Sequence, residues 1–144
     1  MGRLTAAVIA DLIDRAQTEV LLVSYAIFPD AGVERALADA TRRGVEVTTL
    51  FEREADNPLY KGSYDPFPSL KIKRLYWPAH LRPAGASMHA KVLVVDRLVA
   101  LVGSANLTGA GLDKNLECGI LVRGGKVPSD IADHILGMGA VQAV

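Results

Sequence analysis

Residues 89–106 read HAKVLVVDRLVALVGSAN. Lys91–Asp96 and Leu98–Gly103 are apolar runs separated by Arg97, which predicts two strands turning back on each other as a hairpin. The same stretch sets His89, Lys91, Asp96, Gly103, Ser104 and Asn106 at the spacing H-x-K-x4-D-x6-G-S-x-N. With each residue type at roughly 5%, six fixed matches at one position arise by chance on the order of 10⁻⁸. The residue types also belong to one chemistry. A histidine can attack or protonate, a lysine supplies a fixed cation, and Ser, Asn and a glycine N–H donate neutral hydrogen bonds. Together these groups suit the binding and attack of a phosphate diester.

Outward from the motif, helix and strand periods alternate. Val8, Ile9, Leu12, Ile13 and Ala16 fall on one face of a helix over roughly Thr5–Thr18, and Val20–Ile27 follows as a buried strand. Asp30 caps a second helix bearing Val33, Ala36, Leu37 and Ala40, which stops at Gly44, and Val45–Phe51 is the next strand. This order favours parallel neighbours joined by a right-handed crossover. Residues 52–69 hold Pro58, Pro66, Pro68 and Gly62 and read as a long loop. Leu70–Tyr76 is a third strand, Trp77–Ser87 a second loop, and Glu117–Val122 a last strand. A closing helix starts at Ser129 or Asp130 and runs to about Met138. The expected fold is one α/β domain over residues 1–144, with a mixed, mostly parallel sheet and helices on both faces.

Composition narrows the class. Half of the 144 residues are hydrophobic, so a packed core is expected rather than disorder. Sixteen basic and sixteen acidic residues give no net charge, yet Pro66–Val95 contains no Asp or Glu and carries Lys71, Lys73, Arg74, Arg82 and Lys91 with His80 and His89. That window is a candidate guide for a phosphate backbone, with Lys73, Arg74 and His80 as substrate contacts. Tyr60, Tyr64, Phe67, Tyr76 and Trp77 are candidates either to stack on bases or to close the loop over the core. The single cysteine, Cys118, excludes an internal disulfide and reads as a small core residue; His134 reads as a surface residue. Apolar runs are too short to cross a bilayer, and no signal peptide is apparent, so a soluble cytoplasmic protein without membrane attachment is expected.

The spacing of His89, Lys91, Asp96, Gly103, Ser104 and Asn106 resembles the HKD signature of the phospholipase D superfamily. The surrounding order (LLVSYAIF, RRGVEV, the motif, then NLECGILV) is similar to the short single-motif bacterial endonucleases of that superfamily. The likeness runs from about Leu4 to Met138, with no specific match over Glu52–Pro83. It implies a phospholipase-D-like fold and a homodimer in which two copies of the motif share one site. It further implies a metal-independent phosphodiesterase, a nuclease cleaving DNA or RNA through a phosphohistidine. His89 of one subunit would attack while His89 of the other acts as acid and then base. Lys91 and Asn106 would clamp the phosphate oxygens, Ser104 would either contact phosphate or cap the backbone, and Gly103 would allow close approach. Glu117 matches the acidic residue that orients the histidine in those nucleases. Asp96, five residues after Lys91, is more plausibly a turn residue than a reacting one. No cofactor and no metal is expected. The alternatives are a phospholipid hydrolase or transferase, and a nucleic-acid-binding component of a restriction or phage-defence complex with partner proteins.

Overall fold

Strands of four to six mostly apolar residues can only be buried here by stacking side by side under helices. The computed structural model describes residues 2–24, 30–60, 65, 67–104 and 117–142, and these form one seven-stranded mixed sheet with three α-helices. In chain order the elements are α1 (Gly2–Asp14), β1 (Glu19–Ser24), α2 (Ala31–Arg42), β2 (Glu46–Phe51) and β3 (Lys73–Tyr76). They continue with β4 (Val92–Val95), β5 (Val99–Gly103), β6 (Gly119–Arg123), α3 (Val127–Leu136) and β7 (Val141–Gln142). The strands lie in the order β6-β5-β4-β1-β2-β3-β7.

The α/β class, the mixed sheet and the helices on both faces stand as expected, while the parallel share is smaller. Only β1–β2 and β2–β3 run parallel; β1–β4, β4–β5, β5–β6 and β3–β7 are antiparallel. The crossover through α2 imposes the parallel pairing, whereas the motif hairpin needs no crossover and adds its strands antiparallel. On one face, Ile9, Leu12 and Ile13 of α1 and Val33, Leu37 and Ala40 of α2 pack on Val20, Leu22, Val47, Leu93 and Val95. On the other, Ala132 and Ile135 of α3 cover Val94 and Ala100 beside Leu21, Leu50 and Leu75.

Local chemistry sets the ends of the elements. Asp30 caps α2 by accepting from the Val33 N–H, and Gly44 takes the left-handed backbone (φ 86°) that ends the turn after it. α1 stops at Asp14 rather than running to Thr18, because the amides of Gln17 and Thr18 donate to the Asp96 carboxylate. α3 begins at Val127, ahead of Ser129, with Pro128 in its first turn, where a missing N–H costs nothing. β3 is shorter than the expected strand Leu70–Tyr76, because Arg74 gathers the carbonyls of Phe67, Leu70 and Ile72 into a loop. Tyr25, Ala26 and Ile27 of the first expected strand lie outside the described residues, as do Gly62, Tyr64 and Pro66 of the long loop. β6 is an edge strand, which leaves Cys118 exposed rather than in the core, and Ile120 67% exposed. His134 is exposed on α3, as expected.

Candidate active site

The chemistry-bearing residues gather at one end of the sheet, where β1 and β2 finish, β4 starts and β5 ends. Register does the placing. Val23 pairs with Val92, Val92 with Val102, and Gly103 with Gly119, so Lys91, Gly103, Ser104 and Glu117 stand in adjacent rows at the same edge. The Gly103 N–H donates to the Lys91 carbonyl at 3.2 Å, and the Ser104 N–H donates to the Cys118 carbonyl at 3.0 Å. Glycine lets the strands approach at position 103: a Cβ there would lie 3.0 Å from the Cys118 carbonyl oxygen and 3.3 Å from the Gly119 Cα, so the backbone of β6 would have to shift to admit one. The close approach is therefore between strands.

The side chains form two coupled pairs. Lys91 Nζ donates to the His89 carbonyl at 2.8 Å and lies 3.0 Å from His89 Nδ1. An ammonium can only donate, so Nδ1 accepts and the proton of the neutral ring resides on Nε2, which belongs to an exposed side chain. Ser104 Oγ donates to a Glu117 carboxylate oxygen and accepts from the Cys118 N–H at 3.1 Å. Burial pushes the Lys91 ammonium below the ordinary lysine range, against the opposing pull of the Glu117 charge. Lys91 and Glu117 also stand on the wall of a largely apolar hollow of about 180 Å³, which Val8, Leu22, Leu93 and Leu101 line on the α1 side of the sheet. Asn106 lies outside the described residues.

The other sequence candidates sit elsewhere. Asp96 occupies the far end of β4, about 16 Å from Lys91 at 3.3 Å per strand residue. There its carboxylate accepts from the amides of Gln17, Thr18 and Glu19 and from the Thr18 hydroxyl. Burial raises its pKa, but these donors more than offset that and hold it below the usual aspartate value. Lys73 begins β3, the next-to-last strand of the sheet, opposite Thr48 and three residues short of the end of β2, with an exposed side chain. The Arg74 guanidinium is taken up by Asp65 and three carbonyls. His80 is exposed in a short 3-10 turn, Ala79–Leu81.

Sequence reading missed one assembly. Glu52, directly after β2, and Arg82 are both buried and form a two-pronged ion pair, Nη1 and Nη2 donating at 2.9 and 2.8 Å. The only signal was an acid directly after an apolar strand, and Arg82 stood in the acid-free window with nothing in the sequence to mark it as buried. Among the described residues no three His, Cys, Asp or Glu side chains group as metal ligands, and no helix is long and apolar enough to cross a membrane.

Comparison with known proteins gives one consistent picture. The sequence model described as cardiolipin synthase, PLD-like domain, matches residues 9–138. DISARM protein DrmC of Bacillus paralicheniformis is 35% identical over 134 residues, covering 87% of this chain and 52% of that protein. Cardiolipin synthase B of Escherichia coli K12 is 26% identical over 129 residues, covering 88% of this chain and 30% of its own length. The chain thus spans about half of the first of these curated relatives and about a third of the second. Among solved structures, Nuc from Salmonella typhimurium, a phospholipase D family member, superposes with a TM-score of 0.78 at 20% identity, covering 95% of this chain and 89% of that one. NucT from Helicobacter pylori follows the same fold with a TM-score of 0.74 at 20% identity, over 98% and 92% of the two chains.

Proposed function

Because the chain belongs to the phospholipase D-like domain family, we propose that it is a metal-independent phosphodiesterase that cleaves nucleic acid at a site shared by two copies of the chain. The observation that carries this reading is the meeting of His89, Lys91, Ser104 and Glu117 at one sheet edge, with a single motif histidine among the chain's three. Double displacement at phosphorus needs one group to attack and another to protonate the leaving oxygen, and one imidazole cannot do both in the same step.

The roles follow from proton positions. One His89 attacks phosphorus through a bare Nε2, forming a P–N bond as the ester oxygen departs. His89 of the partner subunit donates its Nε2 proton to that oxygen. The same ring then takes a proton from water, which displaces the phosphoryl group from the first histidine. The second histidine acts as acid from the imidazolium, protonated on both nitrogens, so that loss of its Nε2 proton leaves a neutral ring rather than an imidazolate; the ring whose Nδ1 accepts from Lys91 is the neutral resting form. The attacking ring needs the opposite tautomer, and the Glu117 carboxylate is assigned as acceptor of its Nδ1 proton. Lys91 and Asn106 from both copies hold the non-bridging oxygens, and Ser104 adds a hydroxyl donor. Lys73, Arg74 and His80 are given no role at the phosphate in this scheme: Lys73 opens the next-to-last strand, three residues short of the end of β2, Arg74 is engaged internally, and His80 sits in the exposed 3-10 turn.

A second copy has a surface to meet. Val102 (39% exposed) and Ile120 (67% exposed) are cross-strand neighbours on the α3 side of the sheet, one pairing away from the site edge. An apolar pair on an edge hairpin beside half a site supports a two-fold contact there. The likeness to DrmC supports a setting in phage defence with partner proteins. A phospholipid substrate is the second reading, favoured by the likeness to cardiolipin synthase B and by the apolar hollow beside Lys91.

One experiment separates these. Single- and double-stranded DNA, RNA and phosphatidylcholine micelles are incubated with the protein in excess EDTA, with His89→Ala as control. Nucleic-acid cleavage lost in His89→Ala is the expected result. Head-group release alone selects the lipid reading, and full activity of His89→Ala overturns the mechanism.

A further inference from the structure

We propose that Glu52 is a positioning residue for His89, acting through the backbone of Met88 and the side chain of Arg82. The inference rests on His89 being the reacting histidine. The Glu52 carboxylate is 2% exposed and accepts five donors: both Arg82 Nη groups, the Met88 N–H at 3.1 Å, Asn57 Nδ2 at 3.3 Å and the Arg53 N–H at 3.3 Å. One side chain at the end of β2 therefore holds the turn over 53–57, the loop before the motif, and the amide of the residue immediately before His89. Burial pushes the Glu52 carboxyl up, but the bonds from Arg82 and Met88 outweigh this and keep it below the usual glutamate range.

The need for such a hold lies in the chain around it. Residues 77–91 contain only the short 3-10 turn Ala79–Leu81, so the segment approaching His89 has no sheet ladder to fix its backbone. Arg82 gathers that segment from inside. Its guanidinium donates to the carbonyls of Trp77 and Ala86 and stacks over the Trp77 ring at 5.1 Å. Met88 is 3% exposed and anchored in the core, and its N–H ends on Glu52. The imidazole one residue later thus projects from a backbone fixed on one side by Glu52 and on the other by the start of β4. A buried ion pair is a weak way to gain stability, since desolvation consumes most of the attraction and apolar residues of similar size serve as well. Five directed bonds instead give a specified geometry, which is what a histidine attacking in line requires.

The test uses Glu52→Gln in the whole chain, assayed in EDTA with bis(p-nitrophenyl) phosphate and examined by ¹⁵N NMR of the His89 ring nitrogens. The expected result is a fall in kcat of ten-fold or more with KM within two-fold of wild type, together with shifted His89 ring signals. Arg82→Lys, which keeps the charge but loses the fork, should fall between the two. If Glu52→Gln does not fold, Glu52→Gln/Arg82→Met removes the unpaired charge and takes its place with the same expectation. Unchanged kcat, a rise in KM alone, or unmoved ring signals overturns the proposal. If the wild-type protein turns over no phosphodiester, the reading of function fails separately, and the ring signals alone decide the positioning claim.

Discussion

Replacing Asp96 should destabilise the protein and leave its chemistry alone, although Asp96 belongs to the motif. Its carboxylate accepts from the amides of Gln17 (3.0 Å), Thr18 (2.8 Å) and Glu19 (3.0 Å) and from the Thr18 hydroxyl (2.9 Å). It thereby ties the end of β4 to the start of β1. Gln17 and Thr18 are exposed, so water replaces most of what they lose, at about 0.5 kcal/mol each, while the part-buried Glu19 amide loses about 1 kcal/mol. Asp96 also has positive φ (53°), a conformation that costs alanine about 1 kcal/mol and asparagine little. Asp96→Ala is thus expected to lose about 3 kcal/mol and Asp96→Asn, which keeps Oδ1, about 1 kcal/mol. With a urea slope of about 2 kcal/mol per molar, the Asp96→Ala midpoint drops by about 1.5 M. The site is about 16 Å away, so kcat of the folded fraction should stay within about two-fold of wild type. The sign with pH is fixed by the lowered folded pKa: the contribution is complete above the ordinary aspartate value, about 4, and fades as pH falls through the lower folded value. The gap between wild type and Asp96→Asn should therefore persist at neutral pH and close in acid. A stable Asp96→Asn variant with kcat reduced a hundred-fold would refute this placement, as would an Asp96→Ala variant with unchanged urea midpoint.

Two further outcomes follow from the site. Burial lowers the Lys91 pKa while Glu117 opposes the shift, so activity should fall on the alkaline side below the ordinary lysine value. Glu117→Gln should move that alkaline limb to still lower pH in a pH–rate profile, and a limb that stays or moves up contradicts the pairing. Gly103→Ala places a methyl against the Cys118 carbonyl at 3.0 Å, where neither strand can yield cheaply; a loss of about 1–3 kcal/mol by urea unfolding is expected, and unchanged stability would show that β5 and β6 separate freely.

The helix and strand order was legible because each apolar run had one period. Val33, Ala36, Leu37 and Ala40 recur on one face of α2, and all four are fully buried. The hairpin was legible from the interruption at Asp96 and Arg97. The Leu98 N–H to Val95 carbonyl bond (3.0 Å) closes the turn there, with both central residues at positive φ. The balance of parallel and antiparallel pairing was not legible, because helix–strand alternation describes only the first half of the chain. Ends of elements were hidden wherever a distant side chain captured the backbone, as Asp96 does at Gln17–Glu19 and Arg74 does at Phe67–Ile72. At the site, adjacency in the motif gave His89, Lys91 and Ser104. Glu52–Arg82 was invisible because the partners are thirty residues apart and nothing local marks either as buried. The acid-free window misled for the same reason: the acids that neutralise Arg74 and Arg82 lie before it, Asp65 directly and Glu52 further back at the end of β2.

The central claim is that one chain carries half of a site, and subunit mixing tests it most directly. Wild-type and His89→Ala chains are unfolded together, refolded at varied ratios and fixed total concentration, and assayed for phosphodiester cleavage in EDTA. If each site uses His89 from both subunits, mixed dimers are inactive and activity follows the square of the wild-type fraction, about one quarter at equal mixing. Activity falling in direct proportion, to about one half at equal mixing, would show that a single His89 suffices and contradict the shared site.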